Sequence, residues 1–88
     1  KEEIRISYKK PFFYNVDGQK VDIVAWIRWP SYDFIFGIPS KKNENYGKEA
    51  GYFQYRDLRH KKIIQGFYVD KEELKCLIKG FQKIKKAE

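Results

Sequence analysis

The sequence is poor in the residues that most often carry chemistry, with one cysteine, one histidine and no methionine. A single cysteine excludes an internal disulfide framework and a zinc site built from several thiolates. A lone histidine excludes a pair of imidazole metal ligands. The six glycines are scattered along the chain and form no glycine-rich phosphate loop. We therefore expect no enzymatic activity, no metal and no cofactor.

Long apolar runs are also missing. No uncharged stretch approaches the roughly 20 residues that a membrane-spanning helix requires. The first residues do not show the basic start and apolar core of a secretory signal. These absences predict a soluble cytoplasmic domain without membrane contact.

Positive charge and aromatic rings are abundant in this chain. Its 88 residues include 19 Lys+Arg and 12 Asp+Glu, for a net charge of +7, and 18% of them are aromatic. The length predicts one small basic domain over residues 1–88, too apolar to be disordered. Such a short chain buries only about 60–65% of its unfolded surface, so many rings are needed for the core. Any rings left exposed are candidates for stacking on bases or on a protein partner.

Alternation of apolar and polar residues predicts an antiparallel sheet of five or six strands within residues 3–69. The pair Asp17-Gly18 between two apolar runs predicts a hairpin with a type I′ turn. Pro30 and Pro39 mark strand ends. The predicted strands are 4–9, 12–16, 21–29, 32–38, 52–58 and 63–69, with a polar loop at 39–51 and a basic turn at 59–62.

The C-terminal segment predicts an amphipathic helix over residues 70–86. Asp70 is a good N-cap, and Glu73 three residues later completes a capping-box pattern. The neighbouring Cys76 is expected to be a small buried apolar residue. One apolar stripe at helical spacing should pack on the sheet, which gives an α+β fold with a helix on one face of the sheet. Its members are Leu74, Leu77, Ile78, Phe81 and Ile84.

Strand alternation assigns side chains to the two faces of the sheet. The helix should cover the face that carries Ile4, Ile6, Tyr8, Val21, Ile23, Ile27, Phe53 and Tyr55. The opposite face then carries Arg5, Ser7, Trp26, Arg28, Tyr52, Gln54 and Arg56. Guanidinium groups neutralise phosphates and rings stack on bases, so this face predicts binding of single-stranded DNA or RNA. Arg59, Lys61 and Lys62 of the basic turn should add phosphate contacts. An alternative is that Trp26 and Tyr52 fill a second small core or a dimer interface.

Two other functions remain open from the sequence. A compact basic domain with edge strands also suits a protein–protein module, such as an inhibitor, an immunity protein or a virus- or plasmid-encoded regulator. Its partner would be an acidic protein or a second copy of the chain. The third function is a metal-independent ribonuclease that uses side chains as acid, base and charge stabiliser. The residues that offer those groups are Tyr55, Arg56, Arg59, His60 and Lys61.

Overall fold

Within the described residues, six strands are followed by one helix. The structure is a computed structural model that describes residues 4–5 and 12–87. Its elements are β1 (Ile4–Arg5), β2 (Phe12–Tyr14), β3 (Lys20–Arg28), β4 (Tyr32–Pro39), β5 (Ala50–Asp57), β6 (Lys62–Asp70) and α1 (Lys71–Ala87). The predicted α+β class, with one helix at the C-terminal end, is confirmed. Of the first predicted strand, residues 6–9 lie outside the described residues, and with them the face assignments of Ile6, Ser7 and Tyr8.

The strands form one antiparallel sheet. Its order is β1-β3-β4-β5-β6, and β2 also pairs with β3. β1 pairs with the end of β3 at Trp26 and Ile27, whereas β2 pairs with its beginning at residues 20–22. The two short strands therefore share one edge of the sheet, and β6 forms the other edge of the described part.

One inserted residue in β3 places the first residues of this strand on the face opposite to the predicted one. Ile23 pairs with Gly37 and Ala25 pairs with Phe36, so Val24 bulges between them. Ile27 faces the helix as predicted, but Val21 packs on the opposite face. The assignment of Val21 and Ile23 to the helix side is therefore wrong, because the bulge at Val24 puts the side chains before it out of phase with Ile27 after it.

The main core lies between α1 and the sheet. Its buried members are Ala25, Ile27, Trp29, Phe36 and Leu74, with Phe53 and Leu77 among the half-buried residues packed against them. The ring of Phe81 stacks on Phe34 with centroids 4.2 Å apart. Leu74 lies directly on Gly51, where an added Cβ would be 2.7 Å from its Cδ2 atom. The absence of a side chain at Gly51 therefore lets the first turn of the helix approach β5.

The first turn of the helix is capped as the sequence predicts, but its last turn buries a different residue from the predicted one. The Asp70 carboxylate accepts a hydrogen bond from the backbone N–H of Glu73 at 2.8 Å. In the last turn Ile84 is 54% exposed, and Lys85 is buried in its place with Nζ 4.9 Å from the Trp29 ring centroid. The residue four positions after Phe81 is rotated by only about 40°, whereas the third is rotated by about 60° the other way. The prediction that Ile84 continues the buried stripe is wrong for this reason.

Cys76 is exposed, so the prediction that it is buried is also wrong. It lies two positions after the buried Leu74 and one before the half-buried Leu77. Successive helical residues are rotated by about 100°, so a neighbour of the apolar stripe in sequence need not belong to it.

The β2–β3 connection confirms the predicted hairpin but not its turn type. Gly18 has a positive φ of 76°, and Asp17 is not among the residues with positive φ. A type I′ turn needs positive φ at both positions. The Asn15 side chain instead organises the turn, because its Oδ1 accepts the backbone N–H groups of Asp17 and Gln19 at 2.8 Å each.

Candidate nucleic-acid interface

The sheet face opposite α1 contains a second small core. Its buried members are Phe13, Val21, Ile35 and Tyr52, with Ile23 and Trp26 packed against them. Tyr52 is only 1% exposed, so the prediction that it offers an accessible ring is wrong. Its hydroxyl donates a hydrogen bond to Gln54 Oε1 at 2.8 Å and lies over Gly66, where a Cβ would be 1.8 Å away. The alternative interpretation, a second core under this face, is the one that the structure shows for Tyr52.

Burial of Tyr52 should make the stability of the fold sensitive to high pH. Loss of solvation raises the pKa of Tyr52 to about 12, whereas a phenol in the unfolded chain titrates near 10. The stabilisation from this difference is complete below pH 10 and is lost as the pH rises from 10 to 12. We expect a loss of roughly 1.4 kcal/mol by pH 11 that is absent in Tyr52→Phe. Urea unfolding of both proteins at pH 9 and pH 11 checks this, and an equal pH dependence in the two would contradict it.

A buried carboxylate organises the charged residues on this face. Asp33 of β4 lies directly opposite Arg28 of β3 and Arg56 of β5. It is fully buried and accepts two hydrogen bonds from Arg56, Nε to Oδ1 at 2.9 Å and Nη2 to Oδ2 at 2.6 Å. The indole N–H of Trp26 donates to the same Oδ2 atom. We call Trp26, Arg28, Asp33 and Arg56 the Asp33 cluster.

The Asp33 cluster brings together several of the predicted binding residues. The guanidinium groups of Arg28 and Arg56 lie 5.1 Å and 5.5 Å from the ring centroid of Trp26. The backbone of Arg5 pairs with Trp26 at the edge of the sheet. Trp26, Arg28 and Arg56 thus lie away from the helix, as predicted. The charge of Arg56 is compensated by the ion pair with Asp33, and the Arg56 side chain retains 27% exposure.

The turn between β5 and β6, together with the first residue of β6, presents three exposed cations of the predicted set. Arg59, Lys61 and Lys62 are all exposed. Asp57 holds the turn, because its Oδ1 accepts the backbone N–H of Arg59 at 3.0 Å and its Oδ2 contacts His60 Nδ1 at 2.6 Å. The hydrogen bond from His60 lowers the pKa of the Asp57 carboxyl. The cations therefore lie on a turn whose conformation is held by local contacts. We call residues 59–62, the last of which begins β6, the basic turn.

Two open clefts flank the basic turn. The larger, of about 420 Å³, is lined by Ser31, Tyr32, Tyr55, Asp57, Arg59, His60 and Ile64. The smaller, of about 240 Å³, is lined by Arg56, Asp57, Leu58, Lys61, Lys62 and Ile63. Arg56 therefore connects the smaller cleft with the Asp33 cluster. The residues proposed for ribonuclease activity are divided, with Tyr55, Arg59 and His60 on the larger cleft and Arg56 and Lys61 on the smaller one.

Sequence reasoning found the cations but missed the two acids that position them. The sequence patterns assign no function to Asp33 or Asp57. Asp57 directly follows Arg56 in the sequence, and Asp33 lies across the sheet from Arg56. Asp33 alternates with the apolar Tyr32 and Phe34, so its burial is visible only from the pairing of β4 with β5, which brings it to Arg56. A buried carboxylate needs such a charged partner.

Two kinds of site are absent from residues 4–5 and 12–87. Within them, no group of His, Cys, Asp and Glu is arranged to hold a metal ion. In the same part of the chain, no helix combines the length and apolar character needed to cross a bilayer. Comparison with protein families, curated proteins and solved structures found no match.

Proposed function

We propose that this protein is a small non-catalytic module that binds single-stranded DNA or RNA in the cytoplasm. The observation that carries the proposal is the group of three exposed cations on the basic turn, Arg59, Lys61 and Lys62. Lys61 and Lys62 line the smaller cleft, which Arg56 links to the Asp33 cluster, and Arg59 lines the larger cleft. The net charge of +7 also favours binding of a polyanion, because the positive potential of the whole domain attracts it.

The two kinds of contact in the proposal come from different parts of the surface. Lysine and arginine side chains of the basic turn would neutralise phosphates and release their counterions. Aromatic side chains beside them would stack on bases, with Tyr32 and Tyr55 lining the larger cleft and Trp26 half-buried in the Asp33 cluster. Stacking requires bases that are not already paired and stacked in a duplex, so we propose single strands as the preferred ligand.

Removing the cations of the basic turn should weaken binding far more than removing the same charge elsewhere. For Arg59→Ala/Lys61→Ala/Lys62→Ala we expect a loss of affinity of about 100-fold at 0.1 M salt, since each phosphate contact contributes about 0.7 to the salt slope. Fluorescence anisotropy with a labelled single-stranded oligonucleotide measures this.

The matched control is Lys79→Ala/Lys83→Ala/Lys86→Ala, which removes three exposed helix lysines. Both variants have a net charge of +4, because each loses three of the seven net charges. We expect the control to bind within about threefold of the wild type, since long-range charge effects are screened at this ionic strength. Equal losses in both variants would show that net charge, and not the basic turn, determines binding.

The contact between Asp57 and His60 favours a second candidate, a metal-independent ribonuclease. Asp57 holds His60 through Nδ1 at 2.6 Å, and both residues line the larger cleft with Arg59 and Tyr55. A carboxylate in this position orients the imidazole and leaves Nε2 to accept a proton from a ribose 2′-hydroxyl. Arg59 would stabilise the negative charge that develops on the phosphate.

Cleavage of RNA in the presence of a chelator separates the two candidates. The ribonuclease requires cleavage that disappears in His60→Ala while binding of a DNA oligonucleotide persists. RNA that stays intact after prolonged incubation with the wild type ends this candidate and leaves the binding module in place. An acidic protein partner would compete with the oligonucleotide for the basic turn, and titration with polyglutamate tests for that competition.

A further inference from the structure

The outer edge of β6 is long, apolar and exposed. β6 ends the strand order of the sheet, so no described residue pairs with its outer side. It has nine residues and no proline. Ile64, Phe67 and Tyr68 are 48%, 43% and 36% exposed. A strand with unpaired backbone groups and exposed apolar side chains is a template for another strand.

The sequence of β6 is complementary to itself in the antiparallel direction. An alignment centred on Gly66 is the one that pairs all of Lys62–Asp70 with a second copy of the same strand. Phe67 then lies opposite Gln65 of the second copy, and the two Phe67 rings are diagonal neighbours within reach of each other. Tyr68 lies opposite the bulged Ile64, whose side chain lines the larger cleft beside Tyr55 on the other face of the sheet. The apolar contact between the copies is therefore that of the two Phe67 rings.

Charge favours the same alignment. The cations Arg59 and Lys61 precede β6 and Lys62 begins it, whereas Asp70 ends it and the acids Glu72 and Glu73 follow, all of them exposed. Lys71 and Lys75 lie among these acids, with Lys71 3.8 Å from Glu49 and Lys75 3.4 Å from Glu72. Antiparallel pairing therefore places Lys62 of each copy opposite Asp70 of the other and brings the basic turn towards the start of α1. There the acids Asp70, Glu72 and Glu73 outnumber the cations Lys71 and Lys75. A bulge at Ile64, which has no partner on β5, is present in both copies and shifts the alignment by a single position at each end. The basic and acidic segments are long enough to remain adjacent after that shift.

We infer that two copies of this chain associate through β6 to form a two-fold symmetric dimer with one continuous sheet. Hydrogen bonds between the two β6 backbones hold the copies together, and the opposite charges at the two ends fix the register. The edge of one strand is a small contact, so we expect a dissociation constant roughly in the micromolar range. The inference concerns association of the chain with itself and does not depend on nucleic-acid binding.

Complementary charge reversals test the register. The variant Lys61→Glu/Lys62→Glu reverses the basic turn, and Glu72→Lys/Glu73→Lys reverses the start of α1. In the homodimer of either variant, like charges meet at both contacts between the basic turn of one copy and the start of α1 of the other. We therefore expect its dissociation constant to rise roughly tenfold. A mixture of the two has opposite charges at both ends, so a heterodimer should form about as tightly as the wild-type dimer. Light scattering and sedimentation equilibrium measure all of these without nucleic acid.

The matched control is Lys83→Glu/Lys86→Glu, which makes the same charge change on exposed residues near the end of α1. We expect this control to dimerise as the wild type does, and thermal unfolding confirms that every variant is folded. A mass of 10.7 kDa, that of one chain, at millimolar concentration overturns the inference. A dimer whose reversed variants do not recover affinity when mixed overturns the proposed β6 pairing.

Discussion

Asp33→Ala should lower the free energy of unfolding by about 3 kcal/mol or more, since breaking a buried ion pair costs about 3–5 kcal/mol. Asp33 is fully buried and accepts hydrogen bonds from the guanidinium of Arg56 and the indole N–H of Trp26. Alanine leaves both donors without their acceptor. Arg56 is 27% exposed, so water compensates part of its charge, and we expect a loss near the lower end of that range.

Two further substitutions separate charge from hydrogen bonding. Asp33→Asn keeps the shape and one acceptor oxygen, and should lose about 1–3 kcal/mol. Asp22→Ala removes an exposed carboxylate from the neighbouring strand β3, and should change stability by less than about 0.5 kcal/mol. Urea unfolding followed by tryptophan fluorescence measures all three. If Asp33→Ala is as stable as Asp22→Ala, the Asp33 cluster does not hold this face of the sheet together.

Leu74→Ala should lower the free energy of unfolding by a similar amount, through the main core between α1 and the sheet. Leu74 is 2% exposed in the main core and rests on Gly51. Truncation of a buried leucine costs about 2–5 kcal/mol, and the cost grows with the cavity that remains. Gly51 has no side chain to move into the space, so we expect a loss in the upper half of that range. For a domain of this size, such a loss is a large part of the total stability.

Ile84→Ala is the matched control within the same helix. Ile84 belongs to the predicted apolar stripe but is 54% exposed, so its truncation should cost less than about 0.5 kcal/mol. Thermal and urea unfolding of the two variants compare them directly. Equal losses would mean that the last turn of α1 packs on the sheet as strict helical patterning predicts, contrary to the structure.

Local patterns predicted the elements of the fold because each element is set by neighbouring residues. The Asp70 cap, the alternation in Tyr32–Pro39 and the basic connection after Asp57 depend on interactions within a few positions. The bulge at Val24 could not be predicted in this way, because an inserted residue is visible only against the partner strand. It moved Val21 into the second core, against the prediction from alternation.

For the candidate site, the sequence likewise predicted the features that depend on neighbouring residues and missed those that depend on strand pairing. Exposure of Arg59, Lys61 and Lys62 follows from their place in a short polar turn. The burial of Tyr52 does not follow from its own strand, because it depends on Phe13 from β2 and Tyr68 from β6 packing beside the ring. The pairing of Arg56 with Asp33 likewise depends on the register of β4 and β5. The pairing register of distant strands, which the sequence alone does not reveal, therefore decides that Arg56 is neutralised by Asp33. The cations of the basic turn have no such dependence on register.

The salt dependence of binding to a single-stranded oligonucleotide tests the proposed function most directly. With three phosphate contacts on the basic turn, the logarithm of the association constant should fall with the logarithm of salt concentration with a slope of about −2. The slope should approach zero in Arg59→Ala/Lys61→Ala/Lys62→Ala. Absence of binding at 50 mM salt, or an affinity that does not change as salt is raised, would contradict the account.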